Sequence, residues 1–393
     1  MSESETRRIG ILSPEEPTPA ESGKKPRLPD VRVIVLLACV LLLVMLILFL
    51  LLFLRLGRKG PGDTFRYGQK AAEFSLNTTQ DSVCTAHGDS FAAVTDTGFA
   101  MFDVNGKALG FVPDSFRQPL LISGGPFAAV LEIGGNGITA MTGKGSVLLQ
   151  QETEGTLLDG HAASDGAICY AELQQEYKTV LTVLDKKQNQ IYRWYSGSRY
   201  LNQCALSEGA DVLCAVALGE EETHFQSTAV LFETDEEAPV GEVPLGEQYI
   251  WELLYLDDTI LCAIGENTAV CFTEKGERLG EYDYGGQTLK NFAADGFTAL
   301  ILNKYQDGNC NTVVTLDQNG EKLGERYLGE EVLDVSVAGG FCAVLTPQQL
   351  YVYDKTLNLC ATLAQSASQA VMYADGSVVL TDNGICSLYC PEA

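Results

Sequence analysis

"LDVSVAGGFCAVLTPQQLYVYDKTLNLCATLAQS", residues 333–366, divides into four short apolar runs: "LDVSVAGG", "FCAVLTPQ", "LYVYDKTLN" and "LCATLAQS". Runs of about four to eight residues rich in Val, Tyr, Phe and Leu, closed by Gly, Pro and Asn, read as strands. The pair Gly339-Gly340 supplies the positive φ that a tight hairpin needs. The unit recurs along the chain. Apolar strands that follow a turn begin at Phe91, Phe127, Ile168, Val212, Ile260, Phe297, Phe341 and Val378, with successive gaps of 36, 41, 44, 48, 37, 44 and 37 residues. A period near 40 with four strands per unit is the pattern of a β-propeller, in which each blade covers its neighbours' faces.

Turn chemistry agrees with the strand count. Gly124-Gly125, Asp165-Gly166, Asp295-Gly296 and Asp375-Gly376 stand between first and second strands as Gly339-Gly340 does. Helical periodicity is nearly absent after residue 60, so the fold class is all-β. The eighth unit holds three strands, "AVMYADG", "SVVLTD" and "GICSLYC", before Pro-Glu-Ala. An uncovered edge invites aggregation. The segment "QKAAEFSL", Gln69 to Leu76, precedes the first unit and is expected to close the ring as the last blade's fourth strand. This predicts an eight-bladed propeller over residues 67–393, or seven blades if two weak units merge.

Ahead of the repeat, Val33 to Leu54 are 22 consecutive residues without a charge or a polar side chain, eleven of them Leu, bounded by Arg32 and Arg55. A helix of that length spans roughly 33 Å, enough to cross a hydrocarbon core of about 30 Å. No small-residue cleavage site follows, so the run is expected to stay as a single transmembrane helix. The leading 32 residues carry five prolines with six acidic and six basic side chains. Such a stretch buries too little apolar surface to offset its chain entropy and reads as a disordered tail. Residues 55–66 read as a Gly/Pro-containing linker. Flanking basic charges are nearly balanced, but an uncleaved anchor followed by a large domain places the tail in the cytoplasm and the propeller outside the cell membrane.

Three turns between third and fourth strands share a motif: "FDVNGKALG" (Phe102 to Gly110), "FTEKGERLG" (Phe272 to Gly280) and "LDQNGEKLG" (Leu316 to Gly324). The motif resembles the quinoprotein-type (PQQ-like) propeller repeat. That family places a docking Trp where this chain has Gly110, Gly280 and Gly324. Members that bind the quinone stack it on Trp beside a calcium ion, whereas this sequence holds just two tryptophans, Trp194 and Trp251, neither in a metal-binding spacing. The resemblance therefore implies the architecture without the cofactor.

Function is less legible. His87, His161 and His224 fall at unrelated places in their units, and no nucleophile elbow, P-loop or zinc-type spacing occurs. "DQNG" at Asp317 lacks the rest of a calcium loop and reads as a hairpin turn. Neither a cofactor nor a metal nor a catalytic set is expected. Residues 60–393 hold 17 basic and 46 acidic side chains, a net charge of −29. That field repels nucleic acid. Most cysteines sit in apolar runs and read as buried thiols. One pair, Cys204 and Cys214, stands equidistant from Gly209 and could face across a hairpin.

What remains is a binding or scaffolding module for a protein, peptide or envelope polymer; the alternative is an envelope-polymer hydrolase or lyase. In a propeller the loops joining second to third strands share a face with the crossings between blades. Three of these loops are long: Glu172 to Lys178, Gly219 to Ser227 and Asn303 to Cys310, and they bring in His224 and Tyr305. The crossing "YRWYSGSRY" adds Trp194, Tyr195, Arg199 and Tyr200. Aromatics with Arg are the material of binding hot spots. These six residues are the candidate partner site.

Overall fold

Of the eight strand starts, seven open or fall within the second strand of a four-stranded antiparallel sheet; Phe297 stands one residue before Thr298–Asn303. This computed structural model describes residues 64–78, 82–221, 224–304 and 311–392, with Val40, Leu41 and Met45. The blades comprise residues 83–113, 119–152, 156–196, 200–246, 250–283, 288–327 and 334–363, and the eighth is assembled from both ends of the domain. Second strands such as Phe341–Leu345 are buried throughout, because neighbouring blades cover both their faces. Outer strands such as Val147–Glu152 are largely exposed.

Ring closure follows the count of strands. Ala72–Ser75 pairs with Ile385–Tyr389 from Ala72↔Leu388 to Ser75↔Ile385 and completes the last blade. A further tie was not legible: Arg66–Tyr67 pairs with Pro391–Glu392. Phe65 donates its N–H to the Cys360 carbonyl at 3.0 Å and is buried edge-on to Phe341. The assigned linker therefore ends earlier than residue 66, since Phe65 and Arg66 already belong to the packed domain.

The motif turns have a local cause. Asp103 and Asp317, like Asp185 and Asp354 in the corresponding turns of blades 3 and 7, accept backbone N–H groups two and four residues ahead at 2.8–2.9 Å, and in the remaining motif turn Thr273 Oγ1 accepts the Glu277 N–H at 3.2 Å, closing the hairpin between third and fourth strands. The turn then presses on the preceding blade. A Cβ on Gly110 would lie 2.1 Å from the Gly145 carbonyl oxygen, one on Gly280 2.1 Å from that of Asn319, and one on Gly324 2.8 Å from that of Thr356. Each glycine admits the next blade's turn where the resembling family docks Trp.

The chain divides into two compact units, Met1–Arg58 and Lys59–Ala393. In the first, Val40, Leu41 and Met45 are helical and exposed. No helix among the described residues is long and apolar enough to cross a membrane. The rest of the 33–54 run, the tail 1–32 and most of the linker lie outside the described residues.

Candidate functional site

Outer strand Gln190–Ser196 of blade 3 passes through Gly197–Arg199 into inner strand Tyr200–Leu206 of blade 4. The crossing shares its face with the loop that joins Ile168–Leu173 to Thr179–Leu184. The ring of Tyr177, from that loop, lies 4.7 Å from that of Tyr195, and the Lys178 ammonium sits 4.9 Å over the Tyr200 ring. Tyr195 and Tyr200 are 45% and 49% exposed, so aromatic surface remains for a ligand. A cavity of about 450 Å³ opens between the loop and the crossing, and Thr156, Leu173, Gln175, Tyr177, Lys178 and Tyr200 are among the residues that line it.

A buried carboxylate holds this surface in place. Glu172 is fully buried and accepts hydrogen bonds from Gly155 N–H at 2.8 Å, Gln174 Nε2 at 2.9 Å and Arg193 Nη2 at 2.9 Å. Arg193 also reaches Glu154 at 2.8 Å and lies 5.5 Å from the Tyr195 ring centre. Three segments are thus tied to one side chain: the crossing into blade 3, its loop and its outer strand. A buried charge that is paired and fully hydrogen-bonded is a fixed geometry rather than an adaptable one.

The six candidate residues separate. Trp194 is half-buried 4.8 Å from Phe232 and packs into the core between blades 3 and 4. Arg199 is held by Glu242 at 2.6 Å. Tyr195 and Tyr200 remain as surface. His224 stands opposite Glu221 at the end of a hairpin, and Tyr305 lies outside the described residues. Most of the segment read as a loop, Gly219 to Ser227, is a strand pair among the described residues: Val212–Glu221 and His224–Glu233 pair along their whole length, past the ends of the flanking strands at Tyr200↔Leu218 and Ser227↔Gly246. It projects as a two-stranded finger carrying the exposed Phe225. Cys204 faces Ala215 across its hairpin, not Cys214, and its Sγ lies 3.6 Å from Cys169 of the neighbouring blade.

Sequence reading missed Glu154, Glu172 and Gln174 at the site, and the exposed Trp251, whose ring lies 4.9 Å from that of Tyr249 on an inner strand. It also missed the axis. In blades 3 to 6 the residue after the inner-strand bulge is Asp159, Gln203, Glu252 and Asn291, acid alternating with amide. Asp159 accepts the Cys204 N–H at 2.8 Å, and Asp334 of blade 7 accepts the Ala370 N–H at 2.9 Å in the same way. Burial pushes the Asp159 and Glu252 carboxyls well above their ordinary range, and the charge of Asp159 raises Glu252 further. Burial lowers His161 to about 4, consistent with its Nδ1 accepting the Leu206 N–H at 3.2 Å. Among the described residues no three His, Cys, Asp or Glu side chains form a metal set.

This architecture defines an eight-bladed, WD40-like β-propeller. It superposes on the C-terminal WD40 domain of Sif2 with a TM-score of 0.58 over 84% of this chain and 100% of that one, at 11% identity, a likeness of fold alone. In all, 1025 solved chains match, which is why the fold by itself names no activity. The chain belongs to the family of unknown function DUF5711, whose profile matches residues 64–373. No curated protein matches it.

Proposed function

We propose that this chain is a binding module: a propeller tethered to the cell membrane by residues 33–54, tail in the cytoplasm and domain outside, that captures a protein, peptide or envelope-polymer partner on the face shared by blades 3 and 4. The observation that carries the reading is the exposed Tyr195–Tyr200 surface fastened to the buried Glu172. Rigid aromatics on a preorganised support are what capture surfaces require. The test is co-purification from detergent-solubilised membranes. Alanine at Tyr195 or Tyr200 should weaken capture by about 1–2 kcal/mol at unchanged melting temperature. Arg199→Ala should matter less, because Arg199 is already paired with Glu242. Partner recovery unchanged by both tyrosine variants would move the site elsewhere. Protease added to intact cells should remove the domain and spare the tail; a fully protected domain would reverse the topology.

A second reading, cleavage of an envelope polymer, draws on the carboxyls Asp159 and Glu252, which stand on the inner strands of blades 3 and 5. Burial raises both above the ordinary carboxyl range, the direction a general acid requires. Loss of polymer cleavage in Asp159→Asn and Glu252→Gln with capture intact would favour it over simple binding.

A further inference from the structure

The cavity beside Tyr200 has a composition that selects among ligands. Two lining side chains, Glu176 and Lys178, carry opposite charges, and Lys178 lies over one face of the ring of Tyr200, which remains 49% exposed. The nearby Arg193 is taken up by Glu154 and Glu172, and Arg199 by Glu242. In a domain of charge −29 the lining of this mouth therefore carries no net charge that would select an anion or a cation. What it does offer is the Tyr177 and Tyr200 rings beside the amide of Gln175 and the hydroxyl of Thr156. Flat aromatic faces next to neutral hydrogen-bonding groups complement a ligand with an apolar C–H face and a hydroxylated rim. A pyranose has that form. The volume, about 450 Å³, lies in the range of small-ligand sites and leaves room for a short run of sugar units. A peptide would need an apolar anchor pocket or a free strand edge, and Leu173 is the one aliphatic side chain in the lining.

We infer that the blade 3 mouth is a carbohydrate subsite for an uncharged oligosaccharide, stacked on Tyr177 and Tyr200 and hydrogen-bonded by Gln175 and Thr156. The inference rests on the binding-module reading and narrows its ligand.

Calorimetric titration of the full chain tests it, in a detergent without a sugar headgroup. The neutral probes are chitotetraose and maltotetraose; tetragalacturonate and hexalysine serve as charged comparators. At least one neutral tetrasaccharide should bind, and both charged probes should bind more weakly. Tyr200→Ala and Tyr177→Ala should each weaken binding about tenfold, whereas Tyr200→Phe keeps most of it, and circular dichroism confirms that each variant is folded. The inference is overturned if neither neutral probe binds, if a charged probe binds more tightly, or if both alanine variants bind as the parent does. The two readings fail separately. Tyr200-dependent recovery of a cellular partner without binding of either neutral sugar would leave the module reading standing and remove the carbohydrate assignment. Tyr200→Ala without effect on either would remove both.

Discussion

Replacing Glu172 by Ala removes the acceptor of three hydrogen bonds, from Gly155, Gln174 and Arg193. It leaves Arg193, whose side chain is 19% exposed, with Glu154, whose carboxylate is 73% exposed. Breaking a buried, hydrogen-bonded ion pair from one side costs about 3–5 kcal/mol. Because Glu154 stays in place and Arg193 is partly solvated, the lower end, about 3 kcal/mol, is the expected loss. With an unfolding entropy near 2.1 cal/mol/K per residue over roughly 330 residues, that corresponds to a fall in melting temperature of about 4 °C. Glu172→Gln keeps one acceptor oxygen and should lose about half as much. The assay is thermal and urea unfolding of both variants, with Arg193→Met and the double variant closing a cycle; the coupling between Glu172 and Arg193 should exceed about 1 kcal/mol. A drop in melting temperature under about 1 °C for the alanine variant, or independent effects of the two residues, would refute the claim that this carboxylate holds the site.

Three other outcomes follow from the fold. Removing residues 64–76 exposes the edge of Ile385–Tyr389 and uncovers Phe341, so the truncated chain should lose several kcal/mol and aggregate, measured by urea unfolding and light scattering. Gly280→Ala places a methyl 2.1 Å from the Asn319 carbonyl oxygen and should cost about 2 kcal/mol, whereas Gly197→Ala, with nothing within 4 Å of its Cβ, should shift stability by less than about 0.5 kcal/mol. His161 titrates near 4 in the folded chain and near 6.5 unfolded, so the unfolded state binds more protons between those values; stability contributed by the neutral ring is present above about 6.5 and is lost as pH falls toward 4. At about 1.4 kcal/mol per pH unit this reaches at most about 3.5 kcal/mol, and His161→Gln should flatten that limb of the stability–pH curve.

The second strands were legible because two local signals coincide at most of them: a Gly-containing turn, and a run that is apolar on both faces since blades cover it from either side. Their period set the blade count, and arithmetic on the strands of the last unit required Gln69 to Leu76 as a closing strand. The shared turn motif was visible as well, since each Asp bonds within its own hairpin. Glu172 was readable only as the edge of a long loop; its burial depends on Gly155 and Arg193, which approach from other segments of the blade. Gly219 to Ser227 read as a loop because Gly219 and the charged residues after it resemble a turn, yet strand pairing carries through to Glu221↔His224. The alternation of Asp159, Gln203, Glu252 and Asn291 is spread over more than 130 residues and appears once the bulges set the register of four separate inner strands. Local order in this chain is written in near neighbours and in the period of the repeat. The surface near Tyr200 and the carboxyls at the axis depend on which blades meet, and that is decided by closure of the ring.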